Sequence, residues 1–431
     1  MIKWIKLRIL AIQKFSKGNA YLFAEYSSLA FLLICLIPTL RNITEENDIN
    51  IFYKAAESLR AGQSMYAKPH LYGMWYYYSP LFATILVPFT YFPMQVVKLV
   101  WWLLGLLLIR RIQILTFQFL GIEKGKKNIP LLLILTVCSL HPIFMNLLYG
   151  QLTIFIVWCC LEGAIAFSNK REWKGALLFG LGINFKLLPL FFLFYYFIKS
   201  NYKFLIKIVT ATVLFIVLPY LFIEFQFHTD LLVQWKSMIN PLNDEHINTA
   251  GEGGFTDFAS IITKYFTSIA ISTEGQFNIA RLTEYEVFLI QTGYRLFILI
   301  LCAWFVLRFK KINGIPENVK IFSEISFILL CTISAFPHQR DYSVMLAVPA
   351  FLLLLYTWFC MDFRPPKALL IYMGISAIGM GFLLFPQLLT HDIKYFFYEK
   401  RIPGIFTILF TPGYFYWIWL LRKATGKKMV E

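Results

Sequence analysis

Long apolar blocks alternate with short basic clusters along this chain, and the blocks approach the length that crosses a bilayer, about 20 residues at 1.5 Å rise each. Spans are expected near Tyr21–Leu40, Ile129–Leu148, Leu152–Phe167, Ile208–Ile223, Tyr285–Leu307, Val319–Phe336, Ser343–Met361, Ala368–Phe385 and Ile402–Leu421. Two further apolar stretches are interrupted. Ser79–Ile109 is broken by Pro80, Pro88 and Pro93, and reads either as one crossing with a bent neighbour or as three short helices. Gly175–Ile198 is broken at Asn184, Lys186 and Pro189, with Lys174 before it and Lys199, Lys203 and Lys207 after it. Basic flanks on both sides predict a hairpin that enters and returns on the cytoplasmic side.

The pattern therefore predicts an all-α integral membrane protein: one polytopic domain over residues 1–431, with roughly 10 to 13 membrane helices and external interfacial helices. Two polar segments, about 41–77 and 224–284, form its large external loops. The basic stretch from Lys3 to Lys17, the cluster Arg110, Arg111, Lys124, Lys126 and Lys127, and the later clusters at 308–311, 364–367 and 422–428 fall inside. Both termini are then cytoplasmic, and Asp48, Gln151, His246 and His338 lie outside.

Composition narrows the class. Of 431 residues, 58% are hydrophobic and 15% charged, against about a quarter charged in soluble domains. The net charge of +16 sits in the clusters between spans, so it records topology and attraction to anionic membrane lipids, not nucleic acid. The seven cysteines lie in or beside apolar segments without metal-ligand spacing, which leaves them as packing residues. No phosphate-binding lysine loop, dinucleotide glycine motif, HExxH or nucleophile elbow occurs in a sensible context.

Candidate chemistry gathers on the predicted outer face. In Asn47–Gly62, Phe52, Ala55, Ala56 and Leu59 recur at helical spacing, which predicts a short amphipathic helix lying in the interface plane and stopped at Gly62. Asp48 is either its N-cap or a general base at the membrane surface, and the roles are compatible. The aromatic run Trp75-Tyr76-Tyr77-Tyr78 is an interfacial belt or a stacking wall for a sugar. Lys186, amid apolar neighbours, snorkels to headgroups or meets a phosphate. His338 and Arg340 form a solvated turn with Asp341, or a phosphate-gathering cluster in which Arg supplies forked donors and His a further hydrogen bond.

Taken in order, these segments resemble glycosyltransferase family 87, the polyprenol-phosphate-mannose-dependent mannosyltransferases of the GT-C fold. The similarity runs from Asp48-x-x-x-x-Tyr53-x-x-Ala56 through Gly62 and Tyr66 to Tyr76-x-Tyr78-x-Pro80-Leu81 and Pro88. It resumes at Gly150-Gln151, at Gly175-x-x-x-x-Gly180-x-Gly182-x-x-x-Lys186-x-x-Pro189 and at the loop holding His338. That loop reads Phe336-Pro337-His338, where many relatives have Ser, Pro and Trp before the histidine.

The resemblance implies inverting transfer of a hexose, with mannose the first candidate, from a polyprenyl-phosphate sugar to a lipid or glycan acceptor. Asp48 would be the base, and His338, Arg340, Lys186, Gln151, Tyr66 and Tyr78 would bind donor phosphate and substrate. No cofactor is implied, since the lipid-phosphate sugar is itself the donor; a divalent metal is left open. The expected location is a bacterial inner (plasma) membrane with the site on its external, periplasmic face. Two other classes share the sequence features: a transporter or flippase of lipid-linked glycan, which would not need Asp48, and a surface-polysaccharide polymerase or ligase, which would carry key arginines in a large late external loop.

Overall fold

The computed structural model describes residues 43–121, 129–243, 246, 255–267, 279–309, 315–361, 363–382 and 390–427, with isolated positions between 30 and 40. The span expected at Tyr21–Leu40 falls almost wholly outside the described residues, as do the basic stretch 3–17, Lys124, Lys126 and Lys127. Among the described residues the chain is helical, with only isolated β-bridges. In order, the helices that matter below are α1 Asp48–Arg60, α2 Pro80–Leu86, α3 Met94–Phe119, α4 Ile129–Tyr149, α5 Thr153–Ser168, α6 Glu172–Phe185, α7 Phe191–Ile198 and α8 Tyr202–Val217. They continue with α9 Phe225–Met238, α10 Phe258–Phe266, α11 Glu284–Phe309, α12 Glu317–Ala335, α13 Val348–Phe359, α14 Lys367–Gly379, α15 His391–Glu399 and α16 Ile402–Lys427.

Six stretches among the described residues are long and apolar enough to cross a membrane: Met94–Phe119, Tyr202–Leu221, Glu284–Arg308, Glu317–Ala335, Asp341–Phe359 and Ile402–Ala424. The pair Ser139–Tyr149 and Thr153–Ser168, bent by 120° at its break, makes a seventh if taken as one span. The protein is an all-α polytopic membrane protein. The broken Ser79–Ile109 stretch resolves into the short helix α2, a 3-10 turn at Val87–Tyr91, and one crossing, α3. That crossing runs past Arg110 and Arg111, which the charge pattern places in a cytoplasmic cluster after an apolar stretch ending at Ile109. No breaker intervenes before Gly121 (φ +63°), and Arg111 is neutralised in a forked pair with buried Glu162 of α5, at 2.6 and 2.9 Å. Lys174 completes this cluster at 2.8 Å from Glu162.

The interrupted stretch 175–198 forms a hairpin. Its first leg, α6, starts beside the Glu162 cluster and is clasped between α5 and α8. A Cβ on Gly175 would sit 2.7 Å from the Gly163 carbonyl oxygen, and one on Gly180 would sit 2.9 Å from the Thr212 amide nitrogen. Small residues let the backbones approach this closely, the usual solution where lipid supplies no hydrophobic drive between helices. At its far end Asn184 donates to the Gly180 and Thr212 carbonyls (2.9 and 3.1 Å), and the backbone turns extended at Lys186. The return leg, α7, ends at Lys199, which pairs with buried Glu324 at 2.9 Å. Lys186 is thus the tip, at the opposite end of the bundle from the basic cluster.

Helix α1 and its stop at Gly62 (φ +69°) are as the periodicity predicts. Its apolar stripe faces protein, however, not lipid. Phe52 is 1% exposed and meets the rings of Tyr78, Phe82 and Trp101 at 4.9, 5.2 and 6.0 Å between centroids. Burying a side chain of that size stabilises the docked helix by about 1.5–3 kcal/mol. Buried Lys98 of α3 ties down the entry to α1 by donating to the Ile43 and Glu45 carbonyls.

Candidate functional site

Where α1 begins, the turn between α4 and α5 and the tip of the α6–α7 hairpin meet. Asn47, not Asp48, caps α1: its side chain accepts from the Ile49 amide (3.2 Å), and Asn50 returns a bond to the Asn47 amide (3.1 Å). The Asn47 side-chain amide also donates to the Leu148 carbonyl at 3.2 Å, which anchors the cap to the end of α4. Asp48 is thereby released from capping, and its carboxylate accepts a hydrogen bond from the Gln151 side-chain amide. Gly150 makes this junction possible. Its φ is +67°, and a Cβ there would lie 2.1 Å from Cγ1 of Ile49.

Asp48 and Gln151 line a cavity of about 730 Å³, together with Tyr78, Lys186, His338 and Arg340. All six are among the site residues expected from the sequence. Tyr66, the seventh site candidate, does not line it; it is buried behind the wall and donates from its hydroxyl to the Tyr78 carbonyl at 2.6 Å. Trp75, Tyr77 and Tyr78 face the cavity, so this part of the aromatic run is a cavity wall.

The charges interact. Burial pushes the Asp48 carboxyl up to about 6, against the opposing pull of Arg340, Lys186 and the Gln151 bond. The buried Lys186 ammonium has no hydrogen-bond partner among the described residues and lies 5.0 Å from the centroid of the Tyr342 ring. The Arg340 guanidinium sits over Phe255 at 5.1 Å. His338 adopts a left-handed backbone (φ +58°), stacks on Tyr77 (5.3 Å, 19°) and shares a 2.8 Å hydrogen bond with His246. Burial, His246 and Lys186 push its imidazole down to about 3. It is neutral at physiological pH, so the cations that face the cavity from the expected set are Lys186 and Arg340.

The late loop is held by the second polar segment. Phe255 bridges Arg340, the Thr256 amide donates to the Gln339 carbonyl (2.5 Å), and the Gln339 amide donates to Asp257 (3.2 Å). Asp257 also caps α10 through the Ser260 amide at 2.8 Å. Neither this clamp nor Arg295 of α11, which lines the cavity and donates to the Ala335 carbonyl at 3.3 Å, is among the site residues expected from the sequence. An arginine midway along an apolar span is the same signal that singled out Lys186.

A cavity with a carboxylate poised near neutrality, three cations (Lys186, Arg295 and Arg340) and an aromatic wall can accept a proton from a hydroxyl and stabilise a departing anion. A family model described as Glycosyltransferase family 87 matches residues 76–386, well over half of the chain. Asp48 and Tyr66 precede the matched stretch; Lys186, Arg295, His338 and Arg340 fall within it. No protein of curated function matches the chain.

Proposed function

Since the chain belongs to glycosyltransferase family 87 and is a membrane glycosyltransferase, we propose that it transfers a hexose, mannose foremost, from a polyprenyl-phosphate sugar to a hydroxyl of a lipid or glycan acceptor. The observation that carries this reading is the convergence of Asp48, Lys186 and Arg340 on one largely apolar cavity beside Tyr77 and Tyr78. A nucleotide sugar would call for a nucleotide-binding domain; a lipid phosphate needs only cations beside apolar surface.

In this reaction the acceptor O–H faces Asp48. Its oxygen attacks the anomeric carbon while the bond from that carbon to the phosphate oxygen breaks, and the proton passes to the Asp48 carboxylate. Lys186 and Arg340 meet the negative charge that grows on the departing polyprenyl phosphate. Attack opposite the leaving group inverts the anomeric centre. Gln151 holds the carboxylate in place, and the aromatic wall offers flat faces to the C–H side of a pyranose. The site faces the external, periplasmic side of a bacterial inner membrane.

The test uses purified protein in proteoliposomes with radiolabelled polyprenyl-phosphate mannose and a lipid extract. The expected result is a labelled product that resists mild acid, as a glycoside does and a sugar phosphate does not. Label that crosses the bilayer still as acid-labile donor, with no glycoside formed, would replace this reading with lipid-linked glycan transport.

A further inference from the structure

His246 is joined to the site by two hydrogen bonds that constrain its tautomer. Its Nε2 lies 2.8 Å from the Met238 carbonyl oxygen, and its Nδ1 lies 2.8 Å from Nε2 of His338. A carbonyl only accepts, so His246 Nε2 carries the hydrogen. In its neutral form, the ordinary state of an imidazole above about pH 6.5, His246 then offers Nδ1 as an acceptor, and His338 donates from Nε2. That leaves His338 with a lone pair on Nδ1, on a ring that lines the cavity.

We propose that His246 is a positioning residue that locks His338 in the Nε2–H tautomer, so that Nδ1 accepts a hydrogen bond from a hydroxyl of the sugar or of the acceptor. This rests on the transfer reading above and assigns a division of labour within it. Lys186 and Arg340 face phosphate, and His338 faces a hydroxyl. A neutral His338 in this tautomer has no N–H left to give a phosphate oxygen. The ring is held from the sides by Tyr77 and by Phe255 (5.3 and 5.9 Å), and its backbone carbonyl accepts from the Tyr342 hydroxyl at 3.3 Å. The charged and titratable groups around it are Tyr77 stacked on its ring, Lys186 on the hairpin tip, His246 beyond α9, Arg340 and Tyr342 on its own loop, and Asp257 through the Gln339 amide.

His246→Ala removes the acceptor, whereas His246→Asn can keep an oxygen near the place of Nδ1. The alanine variant should lose at least about tenfold in kcat, and the asparagine variant should recover most of it. A rise in KM for the donor assigns the hydroxyl to the sugar; a rise in KM for the acceptor assigns it to the acceptor. With His246 gone, His338 is expected to titrate higher, so the acid limb of kcat should steepen from one proton to two.

Solid-state NMR of ¹⁵N-histidine protein in bilayers reads the tautomer without any turnover. Wild type should keep His338, assigned by the signal that His338→Gln loses, as a neutral imidazole with the proton on Nε2 at about pH 5, where an ordinary histidine is charged, and His246→Ala should lose that form at His338. An unchanged tautomer together with unchanged kcat and KM in His246→Ala would overturn the assignment. Wild-type protein that shows this tautomer yet forms no glycoside would refute the transfer reading and the hydroxyl role, while leaving the histidine pairing intact.

Discussion

Gly150→Ala tests whether the turn between α4 and α5 sets the position of Asp48. Two costs follow from the structure. An L-residue at φ +67° is strained by about 1–2 kcal/mol. The new Cβ would also fall 2.1 Å from Cγ1 and 2.6 Å from Cδ1 of Ile49, so the 2% exposed isoleucine must move within a filled core, at a cost of about 1–3 kcal/mol. The sum is about 2–5 kcal/mol. Because Ile49 adjoins Asp48, the same displacement should separate the carboxylate from Gln151 and lower kcat. Thermal unfolding in detergent and steady-state transfer measure both effects. The double variant with Ile49→Ala removes the clash but keeps the backbone strain. Its destabilisation should therefore fall short of the sum of the singles by about 1–3 kcal/mol. A Gly150→Ala protein that melts and turns over like wild type, or strict additivity in the double variant, would refute this account of the junction.

With Asp48 pushed up to about 6, kcat should rise with pH through that value as the base form appears, and a pH–rate profile without a limb there contradicts the assignment. Stability runs the other way: a folded-state value above the unfolded value near 3.9 gives a contribution that is full below that pH and lost as pH rises through about 6. Lys186→Met should raise the donor KM, lower kcat, or both, by about 10- to 150-fold in kcat/KM through the lost charge-assisted bond, yet melt no lower than wild type, because an unpartnered buried ammonium is removed; wild-type kinetics would remove Lys186 from the phosphate site. For sidedness, exposed Gln63→Cys in a cysteine-stripped background should react with a membrane-impermeant reagent on intact cells, and labelling only after permeabilisation would invert the topology.

Much of the architecture was legible because single residues punctuate it. Basic clusters on both sides of 175–198 predicted a hairpin, and Lys174 and Lys199 do mark the same end of the bundle, with Lys186 at the tip. Tyr149-Gly150-Gln151 marked the break between α4 and α5 to within a residue. Other features needed tertiary contacts. Asn47 and Asp48 are both good caps, and what distinguishes them is the bond from Asn47 to Leu148, about a hundred positions away. Tyr66 and Tyr78 sit in an irregular loop with no period to say which faces a cavity and which backs it. His246 stood in a polar loop like any solvated histidine; only its contact with His338 gives it a role. Arg111 read only as part of a cytoplasmic basic cluster because its partner, Glu162, lies in a different span.

The central claim, that Asp48 takes the proton from the acceptor, is tested most directly by Asp48→Asn. Asparagine fits the same space and can still bond to Gln151, but it has no basicity near neutral pH. Because Asn47 is the cap, the helix keeps its N-terminal bonds in the variant. At pH 7.5 the asparagine protein should bind the polyprenyl-phosphate donor and melt at or above the wild-type temperature, since a buried carboxylate is removed. Single-turnover transfer should nevertheless slow by at least about 10²-fold. Near-normal transfer by a well-folded Asp48→Asn protein would contradict the account and make the carboxylate structural.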